Sequence, residues 1–192
     1  MSYEELYRTA YQMVLHKHGE MLYDNVKKTT AEMLQPIAQK LINMPDEDLL
    51  QEITSVWHLE KNVIHKISDI LLYMNKNFVP KMRNYPTVEA MQTNEFKKNV
   101  VMKDDIKRKL VKLLLLEIQK ERDGDMVERL YLQKSIEMLI EVGMQSKKIY
   151  EQEFETALIS QTRDYYRNES NNFITQNSCN AYLAKANARL NE

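Results

Sequence analysis

Between Ser2 and Tyr23 the chain reads SYEELYRTAYQMVLHKHGEMLY, and its apolar positions recur at helical spacing over too wide an arc. Ser2-Tyr3-Glu4-Glu5 has the form of a capping box, in which the Ser2 hydroxyl and the Glu5 carboxylate each satisfy the other's backbone amide. Gly19 is expected to stop the helix by taking the left-handed conformation after its last turn. At about 100° per residue, Leu6, Ala10 and Met13 form one apolar stripe. Tyr3, Tyr7 and Tyr11 form a second beside it, with Val14 between Tyr3 and Tyr7 and Leu15 extending the tyrosine side. Glu5, Arg8, Thr9, Gln12 and His16 occupy the remaining arc. A surface helix covers its core with a stripe a little over ~100° wide, and this one spans roughly twice that. One half can face the chain's own core, and the other half requires a partner.

Further along, the periodicity predicts a helix over 20–42 with a kink or break at Pro36, and another starting at Pro45-Asp46 with Asp46 as its N-cap. The apolar positions Val56, Val63, Ile67, Ile70, Met74 and Phe78 are its expected stripe, and Pro80 and Pro86 bracket a loop. A weaker helix is expected over 88–100, then one over 104–122 carrying Ile106, Leu110, Leu113, Leu114 and Ile118. Arg122-Asp123-Gly124-Asp125 reads as a tight link, and Asp125-Met126-Val127-Glu128 repeats the capping-box logic for a helix ending near Gly143. A long helix over 151–175 carries Phe154, Leu158, Tyr165 and Phe173, and Ser178 caps the last one. Short links between long amphipathic helices predict an all-α antiparallel bundle or α-solenoid.

Composition narrows the picture. In 192 residues there are only 3 Gly and 4 Pro, too few turn positions for an all-β or α/β fold. A chain of this length can bury roughly 70% of its unfolded surface without staples. A net charge of −1, with 29% charged residues of both signs, provides no broad basic field for nucleic acid. The single Cys179 excludes an internal disulfide and fits a reducing compartment. No run of about 18 apolar residues or secretory leader is evident, so no membrane partner is expected.

Two aromatic features stand out as candidate chemistry. The Tyr3, Tyr7 and Tyr11 stripe could be core, but the width of the apolar arc favours an interface, where centrally buried Tyr side chains contribute ~2 kcal/mol or more. Tyr73 falls among Lys66, Asp69 and Lys76, away from the Val63–Phe78 stripe, as an interface rim residue would. His16 and His18 point about 200° apart on a helix and cannot share a metal, while His58 and His65 lack a third ligand at suitable spacing. No phosphate loop, nucleophile elbow or zinc-protease motif occurs, so no catalytic residue, metal site or cofactor is expected. The basic cluster at Lys107, Arg108, Lys109 and Lys112 is offset by Asp104, Asp105 and Glu117.

The opening helix resembles the N-terminal region of the cullin family, and most closely its cullin-3 group. The resemblance recurs in DILLYMNKNFV (69–79), in IQKERDGDMVERLYLQKSIEML (118–139), and from KIYEQEFETALISQTRDYYRNESNNFI to AYLAKANARLNE. It is weak over 27–55 and 81–101. It implies stacked helical bundles, the cullin repeats, forming one continuous elongated stalk over 1–192, with a first repeat at roughly 1–145 and the start of a second at roughly 146–192. It also implies a non-catalytic scaffold segment of a cullin–RING ubiquitin ligase, present in cytoplasm and nucleus, whose N-terminal helices bind BTB-domain substrate adaptors of the BTB-Kelch type.

Carried over by position, Ser2, Tyr3, Glu4, Leu6, Tyr7 and Tyr11 match the adaptor-facing residues, and Tyr73 and Lys76 the supporting ones. Tyr3 stands where the family usually has Phe, and Lys76 where it usually has Arg, so a hydroxyl is gained and a planar fork lost. These changes bear on affinity and adaptor choice. The family's N-terminal arm is absent ahead of this helix, and the RING subunit would bind through a C-terminal portion absent here, as expected of a fragment or a truncated relative. The competing expectation is a subunit of a helical tethering or trafficking complex that binds other helical rods. Self-association through the same tyrosines is a further possibility.

Overall fold

The computed structural model describes residues 2–144 and 146–190, in two compact units divided between Tyr150 and Glu151. Both are all-α bundles of helices. In the first unit α1 (Tyr3–Leu15) is followed by α2 (Gly19–Ile42), α3 (Asp46–Ile70) and a short α4 (Leu72–Asn77). A 3-10 turn (Val79–Lys81) leads to α5 (Val88–Phe96), which passes through a π-turn (Lys97–Val101) towards α6 (Asp104–Asp123). The unit closes with α7 (Arg129–Glu141) and the single turn α8 (Lys148–Tyr150).

The predicted N-terminal capping box forms in full. The Glu5 amide donates to Ser2 Oγ at 3.2 Å and the Ser2 amide to Glu5 Oε2 at 2.6 Å. Gly19 does not stop the helix. The left-handed residue is Lys17 (φ 67°), and Gly19 is the first residue of α2. Its role is steric: a Cβ there would lie 2.7 Å from Phe78 Cδ2. Gly124, at φ 95°, does supply the left-handed end of α6, while Asp104 and Asp105 in the first turn and Lys120 and Arg122 in the last suit the helix dipole.

Four further expectations are corrected. Helix α2 runs unbroken through Pro36. Pro45, not Asp46, occupies the N-cap of α3, and the Asp46 carboxylate instead pairs with Lys109 at 3.2 Å and Lys112 at 3.7 Å. At α7 no capping box forms, since the helix starts at Arg129 after an N-cap Glu128 with no side-chain bond. The expected stripe of the third helix holds only in its second half, where Met74 is buried and Ile67, Ile70 and Phe78 pack on the core. Along α3 itself Leu49, Ile53, Thr54, Trp57 and Ile64 are the buried residues, Val63 is exposed, and the helix breaks at Leu71 before α4.

Helix α5, which looked weak, lies at the centre. Val88, Met91, Gln92, Glu95 and Phe96 are all buried, because α2 and α3 both pack on it. The buried positions keep a one-sided helical spacing, but polar Gln92 and Glu95 occupy two of them, which weakens the apolar stripe by which periodicity is recognised. The Trp57 ring lies 4.9 Å from that of Phe96, and its Nε1 donates to Glu141 at 2.5 Å, tying α3 to α7. A smaller cluster of Ala10, Tyr23, Leu71, Met74, Val79, Val88 and Met91 joins α1, α2, α4 and α5.

In the second unit a π-turn (Glu151–Glu155) precedes α9 (Thr156–Gln176), which pairs with α10 (Cys179–Leu190). As expected, Ser178 caps α10, its Oγ accepting from the Ala181 amide at 3.4 Å. The two helices are joined by Glu169, which binds Arg189 at 2.6 Å and Lys185 at 3.1 Å and is held below the usual carboxylate range chiefly by the Arg189 hydrogen bond.

Candidate functional site

Helix α1 packs on α2, α3 and α4 through a narrow seam. Ala10 is its one buried residue, with Val14 packed against the same cluster. The small Ala10 side chain lets the helices approach closely, so the larger apolar groups to either side overhang the seam. Tyr3 remains 54% exposed, Leu6 36% and Tyr11 36%, while Tyr7 is half-buried. The excess apolar arc seen in the sequence is therefore open surface, not core.

The break at Leu71 turns α4 so that Tyr73 meets α1. The Tyr11 and Tyr73 rings lie 4.4 Å apart with their planes tilted by 60°. Tyr73 is consequently half-buried rather than a fully exposed rim residue, and Lys76 stands exposed one turn further on. Met74, the neighbour of Tyr73, faces inward and is buried. At the other end of the row, partial burial raises the Tyr3 phenol above its ordinary value, with smaller contributions from the Asp69 carboxylate and from Tyr7. Ser2 is exposed and consumed by the cap, and Glu4 pairs with Arg8 at 3.0 Å across one turn.

Of the expected site residues, Tyr11 and Tyr73 are brought into ring contact, and Tyr3 and Tyr7 interact electrostatically. Ser2, Glu4, Leu6 and Lys76 are placed on the exposed surface of the same two helices. Asp69 was read from the sequence only as a neighbour of Tyr73. Its influence on Tyr3 depends on how α3 crosses α1, which no local spacing reveals. Leu72, also exposed beside Tyr73, carried no sequence signal at all.

Among the described residues no cluster of His, Cys, Asp and Glu could hold a metal ion, and no helix is long and apolar enough to cross a membrane. The Ser2 hydroxyl and the Glu5 carboxylate are engaged in the cap, and the Glu4 and Asp69 carboxylates in surface pairs with Arg8 and His65.

Fold and site together describe an all-α chain with an open aromatic face on its first helix. Across residues 1–192 the sequence matches the cullin alpha solenoid domain, and the chain belongs to the cullin family. It is 38% identical over 192 residues to Cullin-3 of Dictyostelium discoideum, covering 100% of this chain and 25% of that protein. Against Cullin-3A of Arabidopsis thaliana it is 32% identical over 192 residues, covering 100% of this chain and 26% of the relative. Against Cullin-3 of Caenorhabditis elegans the figures are 29% over 194 residues, 100% and 25%. The chain thus spans about a quarter of the length of these curated relatives.

Proposed function

We propose that the chain is a scaffold segment of a cullin–RING ubiquitin ligase and that the tyrosine face of α1, with Tyr73 and Lys76 of α4, docks BTB-domain substrate adaptors. One observation carries this reading. The Ala10–Val14 seam is consumed by folding, while Tyr3, Leu6 and Tyr11 beside it keep open apolar surface. Tyrosine suits such a face, since it offers large contact area at low entropic cost and a hydroxyl for the rim. The Tyr11–Tyr73 contact joins two helices into one platform, so a partner meets a surface already organised.

The mechanism is positional. Packed helices hold the docked adaptor, and hence its substrate, at a set distance from a RING subunit that would bind a C-terminal portion of the full scaffold. Such a complex would act in cytoplasm and nucleus. Here Tyr3 brings a hydroxyl near Asp69, and Lys76 brings a point charge rather than a planar fork, so the preferred adaptors are those that meet both. Immobilised chain is expected to capture members of a panel of BTB proteins and to ignore coiled-coil rods. Capture of the rods instead of the BTB proteins would favour a tethering role.

A further inference from the structure

The residue that sets the geometry of this face lies outside it. We propose that Gly19 is a positioning residue for the docking surface: by letting the Phe78 ring lie directly on the start of α2, it fixes α4, and Tyr73 with it, against α1. The inference rests on the docking role given above and names what controls it.

A Cβ at Gly19 would lie 2.7 Å from Phe78 Cδ2, 3.0 Å from Cγ and 3.1 Å from Cε2. Backbone conformation is not the reason for glycine here, since the only glycine with positive φ among the described residues is Gly124. The Phe78 ring packs on the core and is braced on one side by an aromatic row. Its neighbour Tyr85 lies 5.6 Å away, edge to face, and Tyr85 in turn packs edge-on against Tyr23 at 4.6 Å. Both phenols are anchored, Tyr85 to Glu20 at 3.1 Å and Tyr23 to the Pro86 carbonyl at 2.9 Å. The Glu20 anchor adjoins Gly19 itself, so the aromatic row closes back on the corner between α1 and α2.

Helix α4 depends on such outside supports, because six residues are too few to hold a helix by themselves. Its middle is tied by Asn75, whose Oδ1 accepts from the Val88 amide at 2.9 Å and whose Nδ2 donates to Ser68 at 3.2 Å. Its C-terminal end rests on Gly19 through Phe78. Tyr73 rides on the same short helix, two residues before the Asn75 tie and against Tyr11. A methyl group at Gly19 displaces the Phe78 ring from this corner, and the end of α4 that carries Phe78 shifts with it, taking Tyr73 off Tyr11.

The test uses the full chain, a purified BTB–3-box adaptor in a calorimeter, and the NMR cross-peak between the Tyr11 and Tyr73 rings. Gly19→Ala is expected to weaken adaptor binding by at least about tenfold, the loss expected when a central tyrosine is displaced. The Tyr11–Tyr73 cross-peak should weaken with it. Because the effect runs through Phe78 and Tyr73, Gly19→Ala should cost less than about twofold more when either Phe78→Ala or Tyr73→Ala is already present. Full additivity with Tyr73→Ala, or an unchanged cross-peak in Gly19→Ala, overturns the inference. Should Gly19→Ala not fold, Phe78→Leu reads the same contact from its other side, with a weakened cross-peak expected and an unchanged one contradicting the assignment. If the parent chain binds no BTB adaptor, the docking role falls, and the cross-peak alone still decides whether Gly19 positions Tyr73.

Discussion

The Tyr11 and Tyr73 rings meet across the contact between α1 and α4, their centroids 4.4 Å apart, although they lie far apart along the chain. The pair makes the two helices one surface. Tilted aromatic pairs of this kind contribute about 0.5–1.5 kcal/mol beyond their burial. A double-mutant cycle of Tyr11→Ala and Tyr73→Ala, read by urea denaturation, should return a coupling of that size. Strict additivity would show that the two rings do not support each other.

Ser2 acts on the same face through the helix start. Its side chain and that of Glu5 satisfy two amides that otherwise have no partner within the helix. Ser2→Ala should cost about 1 kcal/mol, and Ser2→Asp, which keeps an acceptor, should cost much less. Equal losses in the two variants would mean that the cap does not stabilise α1.

The stability of the first unit should also depend on pH in the alkaline range. Tyr23 donates its phenol to the Pro86 carbonyl at 2.9 Å. Burial first, then the charges of Tyr85, Asp24 and Glu95, push its pKa from 10.0 up to about 12. The folded state therefore holds this proton more tightly than the unfolded chain. The stabilisation is complete below pH 10, its ordinary pKa, and is lost as pH rises towards about 12. Denaturation midpoints should fall over that window, and Tyr23→Phe should fall less steeply. An identical slope in both proteins would assign the effect to other groups.

How much of this was legible in the sequence depended on distance along the chain. The Ser2 cap, the tight link at 122–125 and the Ser178 cap are local geometry and could be read directly. The excess apolar arc of α1 was equally visible, since it needs only the helical period. Gly19 was misread because its constraint comes from Phe78, which packs on it only in the folded chain. In the third helix, Val56 and Val63 have the right spacing for a stripe, but α5, α6 and α7 approach from the Leu49–Trp57 side. Spacing shows that a face exists and not which of two faces the rest of the molecule covers. The placement of Tyr73 against Tyr11 needed the break at Leu71, for which neither Gly nor Pro gives a signal.

The decisive experiment titrates the full chain with a purified BTB–3-box protein, comparing the parent sequence with Tyr7→Lys. Saturable binding by the parent chain and none by the variant, with melting temperatures within about 5 °C of each other, is the expected result. Undiminished binding by Tyr7→Lys would contradict the account. So would a collapse of its stability, since that would make Tyr7 part of the core rather than of a face left open for a partner.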